Sequence, residues 1–237
     1  MGMRLLVLTV ALSMLGGCAA VTTTGPDAPD TAVLQQGPDA PGTLTVTDFY
    51  EIVRIVEPVA ERVCKARTTA TNCDFRIVVD ERANLPPNAF QTVDKSGRPI
   101  VAFTQQLITD AQNRDELAFV LGHEAAHHIR NHLDRQQQNA IAGAVIMGAL
   151  TVLSGGTSDA VEVAQRQGAQ VGARIYSKDF ELEADALGTV IAAEAGFDPV
   201  RGAAYFTRIP DPGNRFLGTH PPNAQRIATV KRVAADL

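Results

Sequence analysis

The strongest chemical signal in the sequence is the pentapeptide His123-Glu124-Ala125-Ala126-His127. In an α-helix, which turns by about 100° per residue, His127 lies about 40° around and about 6 Å along from His123, so both imidazoles point to one side. Two imidazoles in this position can share one zinc ion at about 2.0 to 2.1 Å. Glu124 lies beside them, where it is a poor chelator but suits a general base acting on a water molecule. The pentapeptide therefore predicts a zinc site for hydrolytic chemistry.

A second segment offers the third protein ligand that a catalytic zinc site needs. In a predicted helix over 179–195, Glu181 and Asp185 are one turn apart and share a face, whereas Glu183 lies about 200° from Glu181. One face can therefore give one carboxylate to the metal and another to an N–H group of a ligating imidazole. This favours Glu181 as ligand and Asp185 as the supporting group, although two solvent-facing carboxylates would have the same spacing.

Another pair of histidines, His128 and His132, is also four residues apart. Counted along one continuous helix, their side chains lie about 140° and 180° around from His123, on its far side. Ile129 stands where a base would be needed, and no cysteine or carboxylate has the matching phase. We therefore predict that His128 and His132 are polar or partly buried surface residues and not a second metal site.

Helices must carry these groups, and capping signals with hydrophobic periodicity predict where they lie. Asp48 and Asn113 are each followed by glutamate three residues later, and each is predicted to begin a helix. Short β-branched runs predict two strands. The predicted helices are 48–66, 105–111, 113–137, 179–195, 200–208 and one after Pro222, and the predicted strands are 75–79 and 98–103. The fold class is therefore α+β, mostly helical, with a small β-sheet beside the active-site helix.

The first 17 residues have the pattern of a secretory signal peptide, with a positive charge at Arg4 and an apolar run over 5–15. The segment ends in the sequence LGGC, which resembles a bacterial lipobox with Cys18 as the acylated residue. An ordinary cleaved signal with a chance cysteine is the alternative. Because Ala19 follows rather than aspartate, the resemblance to bacterial lipoproteins favours the outer membrane. Lipid chains would then anchor the protein to a membrane surface.

Residues 18–45 are predicted to form a flexible tether, because the segment is rich in proline and glycine and shows no periodicity. The folded domain is then predicted over 46–237, and it contains two further cysteines, Cys64 and Cys73. An exported protein meets an oxidising compartment, so we expect these two to form a disulfide that closes a small loop between a helix and a strand. Two free buried thiols are the alternative.

Composition and charge argue against some other classes of protein. The 237 residues have a formal net charge of −5 with both signs mixed along the chain, so no nucleic-acid partner is expected. No apolar run reaches the roughly 18 to 20 residues of a membrane-spanning helix.

The apolar segment 140–153 is interpreted as a buried helix or a lid over the cleft. A surface that contacts the membrane or a membrane-protein partner is the alternative.

Together these motifs resemble the HtpX-like and CAAX-prenyl-protease-like family of zinc metallopeptidases, and within it a branch of periplasmic lipoproteins. The resemblance covers about 46–237 and is carried by the segments 116–127, 181–188, 196–199 and 219–227. It implies a zincin-type peptidase domain. It also implies that His123, His127 and Glu181 bind one zinc ion and that Glu124 is the general base.

The resemblance leaves the role of His220, in a late His-Pro-Pro element, open between two functions. This histidine either lies on the zinc and keeps the site closed, or donates a hydrogen bond to the oxyanion of the reaction. A structural role in a turn is a third interpretation. Tyr176 is another candidate donor to the oxyanion. Lys178 stands where the family usually has arginine, and lysine lacks the planar fork of a bidentate contact.

These features predict a zinc endopeptidase of the bacterial cell envelope, lipid-anchored at the outer membrane and facing the periplasm. The expected substrates are unfolded or misassembled envelope polypeptides, and outer-membrane assembly machinery is an expected partner. The strand 98–103 is predicted to be an exposed edge to which an extended substrate adds. The alternative is a latent, zinc-bound chaperone or assembly factor for outer-membrane proteins, with His220 plugging the site.

Overall fold

The computed structural model describes residues 44–175, 177–213 and 220–237, and it has the predicted α+β, mostly helical architecture. The helices are α1 Val46–Arg67, α2 Gln105–Asp110, α3 Arg114–Ile129, α4 His132–Leu153, α5 Ser158–Ile175, α6 Ser177–Glu194, α7 Pro199–Gly202 and α8 Asn223–Ala235, with a 3₁₀ turn at Ala203–Thr207. The strands are β1 Arg76–Asp80, β2 Ala89–Val93 and β3 Pro99–Thr104. Among the helices in these ranges, none is long and apolar enough to cross a membrane.

The predicted signal peptide, Cys18 and nearly all of the predicted tether lie outside the described residues, so those predictions stand as they were made. Leu44, the first described residue, is buried, and α1 begins two residues later. Its capping box lies three positions earlier than predicted, because the hydroxyl of Thr45 accepts the N–H of Asp48 while the Asp48 carboxylate accepts the N–H of Thr45.

The sheet has the order β1-β3-β2, with β1 parallel and β2 antiparallel to β3. The two predicted strands are found, each displaced by one residue. The prediction that strand 98–103 is an exposed edge is wrong, because β3 is the central strand and its residues from Val101 to Thr104 are buried. Within the described residues, β2 pairs with β3 alone, and it is therefore the strand with a free edge beside α3.

The core joins α1, the sheet and the inner face of α3. Phe49, Ile52 and Val56 follow one another at helical spacing on α1, and all three are fully buried. The ring of Phe49 lies 4.5 Å from that of Phe103 on β3. Burying side chains of this size contributes about 1.5–3 kcal/mol each. α3, the helix with the histidine motif, thus packs against a buried apolar core.

The last residues of α1 are linked to the start of the sheet by the two domain cysteines. The Sγ atoms of Cys64 and Cys73 lie at disulfide distance, with 5.7 Å between the Cα atoms. Both side chains are buried. The predicted pair therefore closes the expected loop between a helix and a strand.

Two glycines allow α3 and α6 to cross almost in backbone contact. A Cβ atom on Gly188 would lie 2.8 Å from the main-chain nitrogen of His123, and one on Gly122 would lie 2.9 Å from the carbonyl oxygen of Gly188. Only glycine fits such a crossing without a shift of one helix. The close approach brings the carboxylates of α6 to the histidines of α3.

The helix that carries the histidine motif ends earlier than predicted. α3 stops at Ile129, and Asn131 adopts φ 55°, ψ 39°, a left-handed conformation that asparagine tolerates better than most residues. A new helix, α4, begins at His132 in a different direction. The predicted single helix 113–137 is therefore two helices, and the angular position computed for His132 does not apply.

α4 and α5 form a hairpin in which the two helices also meet at glycines. A Cβ atom on Gly168 would clash with the carbonyl oxygen of Gly143. The outer face of α4 is apolar and exposed, including Ile141 at 57% and Leu153 at 84%. The interpretation of 140–153 as a buried helix or a lid is wrong, because these residues are mostly exposed and none of them lines the active-site cavity. The membrane or partner contact stays a prediction.

Candidate active site

Three predicted ligands meet where α3 crosses α6. The Nε2 atoms of His123 and His127 are 3.0 Å apart, and the Glu181 carboxylate oxygens lie 3.7 Å and 3.5 Å from them. One donor atom from each of the three residues lies within 4.8 Å of the others, the only such group among the described residues. Two imidazoles and a carboxylate are the donor set of many catalytic zinc sites, so these side chains fit a divalent metal ion.

A buried ion pair between Asp185 and Arg226 contacts the imidazole of His123. Its Nδ1 lies 3.0 Å from Oδ1 of Asp185, which is fully buried, as expected of the predicted supporting carboxylate. Arg226 donates two hydrogen bonds to Asp185, at 2.6 Å and 2.8 Å, and its guanidinium lies 3.8 Å from the ring centre of Phe206. Burial alone would raise the pKa of Asp185, but the hydrogen bonds from Arg226 and His123 lower it, so the carboxylate stays charged.

Arg226 is a site residue whose role the sequence did not reveal. It lies on α8, four residues after the His-Pro-Pro element, and only the fold brings it to Asp185. The sequence does show this arginine in segment 219–227, one of those that carry the family resemblance. Its side chain is buried on α8. A buried arginine of this kind needs a carboxylate partner, but the partner could not be identified without the helix packing.

Glu124 faces the same cavity as the three ligands. Its pKa is raised to about 7, chiefly by burial and then by the negative charge of Glu181, against the opposing effects of His123, Arg226 and a main-chain hydrogen bond from Gln91. A carboxyl group with a pKa near neutral can both accept and return a proton under physiological conditions. Glu124 therefore lines the cavity beside the three candidate ligands with a carboxyl group that titrates near neutral pH.

His220 reaches the site from the segment before α8. Its Nδ1 lies 3.0 Å from Oε2 of Glu181, and its side chain is 52% exposed. Burial would raise the pKa of Glu181, but the hydrogen bond from His220 and the nearby charge of His123 lower it, so the carboxylate is ionised. His220 touches a ligand without belonging to the three-donor group. Tyr176, the other candidate donor to an oxyanion, lies outside the described residues.

The other two histidines behave differently from each other. His128 lies away from the metal donors, with its Nε2 2.7 Å from the carbonyl oxygen of Asn72, as the prediction of a polar, partly buried residue allows. The same prediction for His132 is wrong. Its ring is buried, and its Nδ1 lies 2.9 Å from Nδ1 of His127, because the chain turns at Asn131 and brings His132 back behind the site.

A cavity of about 580 Å³ extends from the three ligands. Its lining includes the segment of β2 from Ala89 to Gln91, residues of α6, and Tyr205 and Phe206 of the 3₁₀ turn. β2, a strand with a free edge, therefore lines the same cavity as Glu124. Such a cleft can accept an extended polypeptide by main-chain hydrogen bonds.

Two histidines one helical turn apart, a glutamate between them and a third ligand from a distant helix define a zincin-type metallopeptidase. The comparison with protein families agrees with this class. The model of peptidase family M48 matches residues 48–234, and the chain belongs to this family. It is therefore a metal-dependent peptidase, and the predicted zincin-type fold is confirmed.

One relative is a Vibrio cholerae protein named as a beta-barrel assembly-enhancing protease. It is 32% identical over 132 residues, which cover 52% of this chain and 26% of the relative. The matched region thus spans about a quarter of the relative's length. This likeness agrees with the predicted branch of the family.

Proposed function

We propose that this chain is a zinc-dependent endopeptidase of the bacterial cell envelope in which Glu124 is the general base. The observation that carries the proposal is the meeting of His123, His127 and Glu181 within 4.8 Å, beside the half-buried carboxyl group of Glu124 in the same cavity. A zinc ion held by these three side chains supplies a Lewis acid that polarises the scissile carbonyl and acidifies a water molecule.

The protein groups have separate tasks in this proposal. Glu124 takes a proton from the attacking water and returns it to the leaving amine, for which a pKa of about 7 is suited. Asp185 keeps the imidazole of His123 oriented, and Arg226 keeps Asp185 charged and in place. Asp185 does not line the cavity, whereas Arg226 does.

We propose unfolded or misassembled envelope polypeptides as substrates, outer-membrane assembly machinery as a partner, and β2 as the strand to which a substrate adds. The free edge of β2 along the cleft supports an extended substrate, and a compact folded protein could not present one. The name of the Vibrio cholerae relative supports a link to barrel proteins. The signal-like segment 1–17 and the lipobox cysteine Cys18 support a lipid anchor at the outer membrane, facing the periplasm.

The decisive experiment replaces Glu124 by glutamine. Cleavage of casein should fall by about 10²–10⁴-fold, because the acid–base group is lost, while zinc content by mass spectrometry stays at one per chain. Glu162→Gln, an exposed position on α5, is the matched control and should cleave at the wild-type rate. A Glu124→Gln protein that retains zinc and full activity would refute the proposed role.

His220 favours a second candidate, a latent protein, because its Nδ1 already contacts the proposed ligand Glu181. If His220 plugs the site, His220→Ala should raise the rate of casein cleavage. If His220 stabilises the oxyanion, the same change should lower kcat with little effect on KM. If the protein is only a chaperone or assembly factor, Glu124→Gln should leave its cellular function intact.

The lipid anchor has its own test. Cys18→Ala should abolish labelling by radioactive palmitate in bacterial cells and release the protein from the membrane fraction. Labelling that persists in this variant would contradict acylation at Cys18.

A further inference from the structure

His132 is packed directly behind the proposed ligand His127. The two Nδ1 atoms are 2.9 Å apart, and the imidazole of His132 stacks flat on Phe180, with 4.6 Å between ring centres and 9° between planes. The side chain of His132 is almost fully buried. A hydrogen bond between two ring nitrogens requires that one carries the proton and the other accepts it.

The proposed metal site determines which nitrogen carries the proton. Nε2 of His127 faces His123 and Glu181, so its lone pair is the one directed to the metal. The proton of a neutral His127 then lies on Nδ1 and is donated to Nδ1 of His132. The proton of His132 is left on Nε2, which lies 3.3 Å from Oε2 of Glu183.

The outer end of this chain of hydrogen bonds is also fixed. Arg135 donates to both oxygens of the Glu183 carboxylate, at 2.8 Å and 3.2 Å. Its guanidinium carbon lies 4.2 Å from the ring centre of Phe180, the ring on which His132 stacks. Glu183 lies on the side of α6 away from Glu181, so one helix supports the two histidines at different points.

We propose that His132, backed by Glu183, is a positioning residue that fixes the tautomer and the orientation of His127 for metal binding. The inference rests on the proposed metal site. It gives His127 a support equivalent to the one that Asp185 gives to His123. Loss of a group that orients a ligating histidine typically weakens metal binding by 10–100-fold.

The test compares the zinc affinities of two variants at position 132 by competition with a chelator, using the full chain. His132→Phe keeps a flat ring on Phe180 but removes the acceptor, and its zinc Kd should rise by about 10–100-fold. His132→Asn places an amide oxygen near the position of Nδ1, and its Kd should return to within about threefold of wild type. Glu162→Gln, at an exposed position on α5, is the control and should bind zinc as wild type does.

The absorption spectrum of the cobalt-loaded proteins gives a readout other than activity. We expect an altered ligand-field band for His132→Phe and a wild-type band for His132→Asn. Equal zinc affinity of His132→Phe and wild type overturns the inference, and so does an equal loss in both variants, since packing rather than the acceptor would then matter. A wild-type protein that binds no zinc instead refutes the proposed metal site.

A measurement on the wild-type protein avoids the risk that a variant fails to fold. Nitrogen-15 NMR of the zinc-loaded wild-type protein reports which ring nitrogen of each histidine carries a proton. We expect a protonated Nδ1 for His127 and a protonated Nε2 for His132. The opposite tautomer of His132 overturns the inference.

Discussion

Among the described helices, two pairs that meet at glycines differ in what they carry, and one of them brings the candidate metal ligands together. α3 and α6 cross at Gly122 and Gly188, and α4 and α5 cross at Gly143 and Gly168. α1 packs on α3 and α8 packs on α6, so a shift of either helix disturbs further packing, whereas the second pair exposes its outer surface. A close crossing at glycines therefore positions the candidate ligands between α3 and α6. Between α4 and α5 it holds together only a hairpin.

The largest expected difference is in unfolding free energy, between loss of a buried ion pair on α6 and loss of an exposed one on α5. Asp185→Asn leaves the buried guanidinium of Arg226 without its main partner and should cost about 3 kcal/mol in urea unfolding of the metal-free protein. This is the low end of the usual range, because Glu181 remains 3.4 Å from Arg226. Glu162→Gln removes the exposed pair with Arg166 and should cost less than about 0.5 kcal/mol. Equal losses of unfolding free energy in the two variants would contradict the expected effect of burial.

The crossing of α3 and α6 should tolerate no added methyl group. In Gly188→Ala the new Cβ would lie 2.8 Å from the main-chain nitrogen of His123, so one helix must shift. We expect a loss of about 2 kcal/mol in unfolding free energy. Weaker zinc binding should accompany it, because the shift separates Glu181 from the histidines. Wild-type stability and zinc affinity would show that the crossing is not tight.

A smaller effect concerns pH and the carboxyl group of Glu124 on α3. The pKa of Glu124 is about 7 in the folded state against 4.5 for the free side chain, so the folded state holds a proton that the unfolded state has lost. The contribution of Glu124 to the stability of the metal-free protein should therefore fall as pH rises from about 4.5 to 7, whereas the lowered pKa values of His127 and His132 act in the opposite sense up to about pH 6.5. Glu124→Gln should remove the falling contribution, so the stability of this variant should rise more steeply with pH over this range than that of wild type in thermal unfolding. An unchanged slope would contradict the raised pKa.

The smallest effect on the site is expected from the hairpin. Gly168→Ala should force α4 and α5 apart, because the new Cβ clashes with the carbonyl oxygen of Gly143. The hairpin has solvent on its outer side and can spread, so zinc affinity should stay within about twofold of wild type. Limited proteolysis between α4 and α5 should become faster. A loss of zinc affinity as large as that of Gly188→Ala would show that the two crossings are coupled.

The sequence predicts well what depends on local periodicity. His123, Glu124 and His127 share one helix, so their relative positions follow from its geometry alone. Glu181 and Asp185 could be chosen over Glu183 because these two lie on the same face of a second helix. Their approach to α3 depends on glycines on two distant helices, which periodicity does not reveal.

The errors arise where one residue changes the direction of the chain or where a pattern is weak. Asn131 breaks the helix, so the angle computed for His132 was wrong and a support of His127 was missed. β2 has the sequence AFQTV, with no clear alternation or β-branched run, and was not predicted. Without β2, the strand 98–103 was wrongly placed at the edge of the sheet.

The loop closed by Cys64 and Cys73 bears on when the enzyme becomes competent. Its Asn72 carbonyl accepts a hydrogen bond from His128, directly after the proposed ligand His127, so this loop contacts the end of α3. In a reducing compartment the cross-link would be absent, and the folded domain would lose about 2.5 kcal/mol of stability relative to the unfolded chain for a loop of this length. If the chain is exported as proposed, a copy retained inside the cell would therefore be less stable than an oxidised copy outside it.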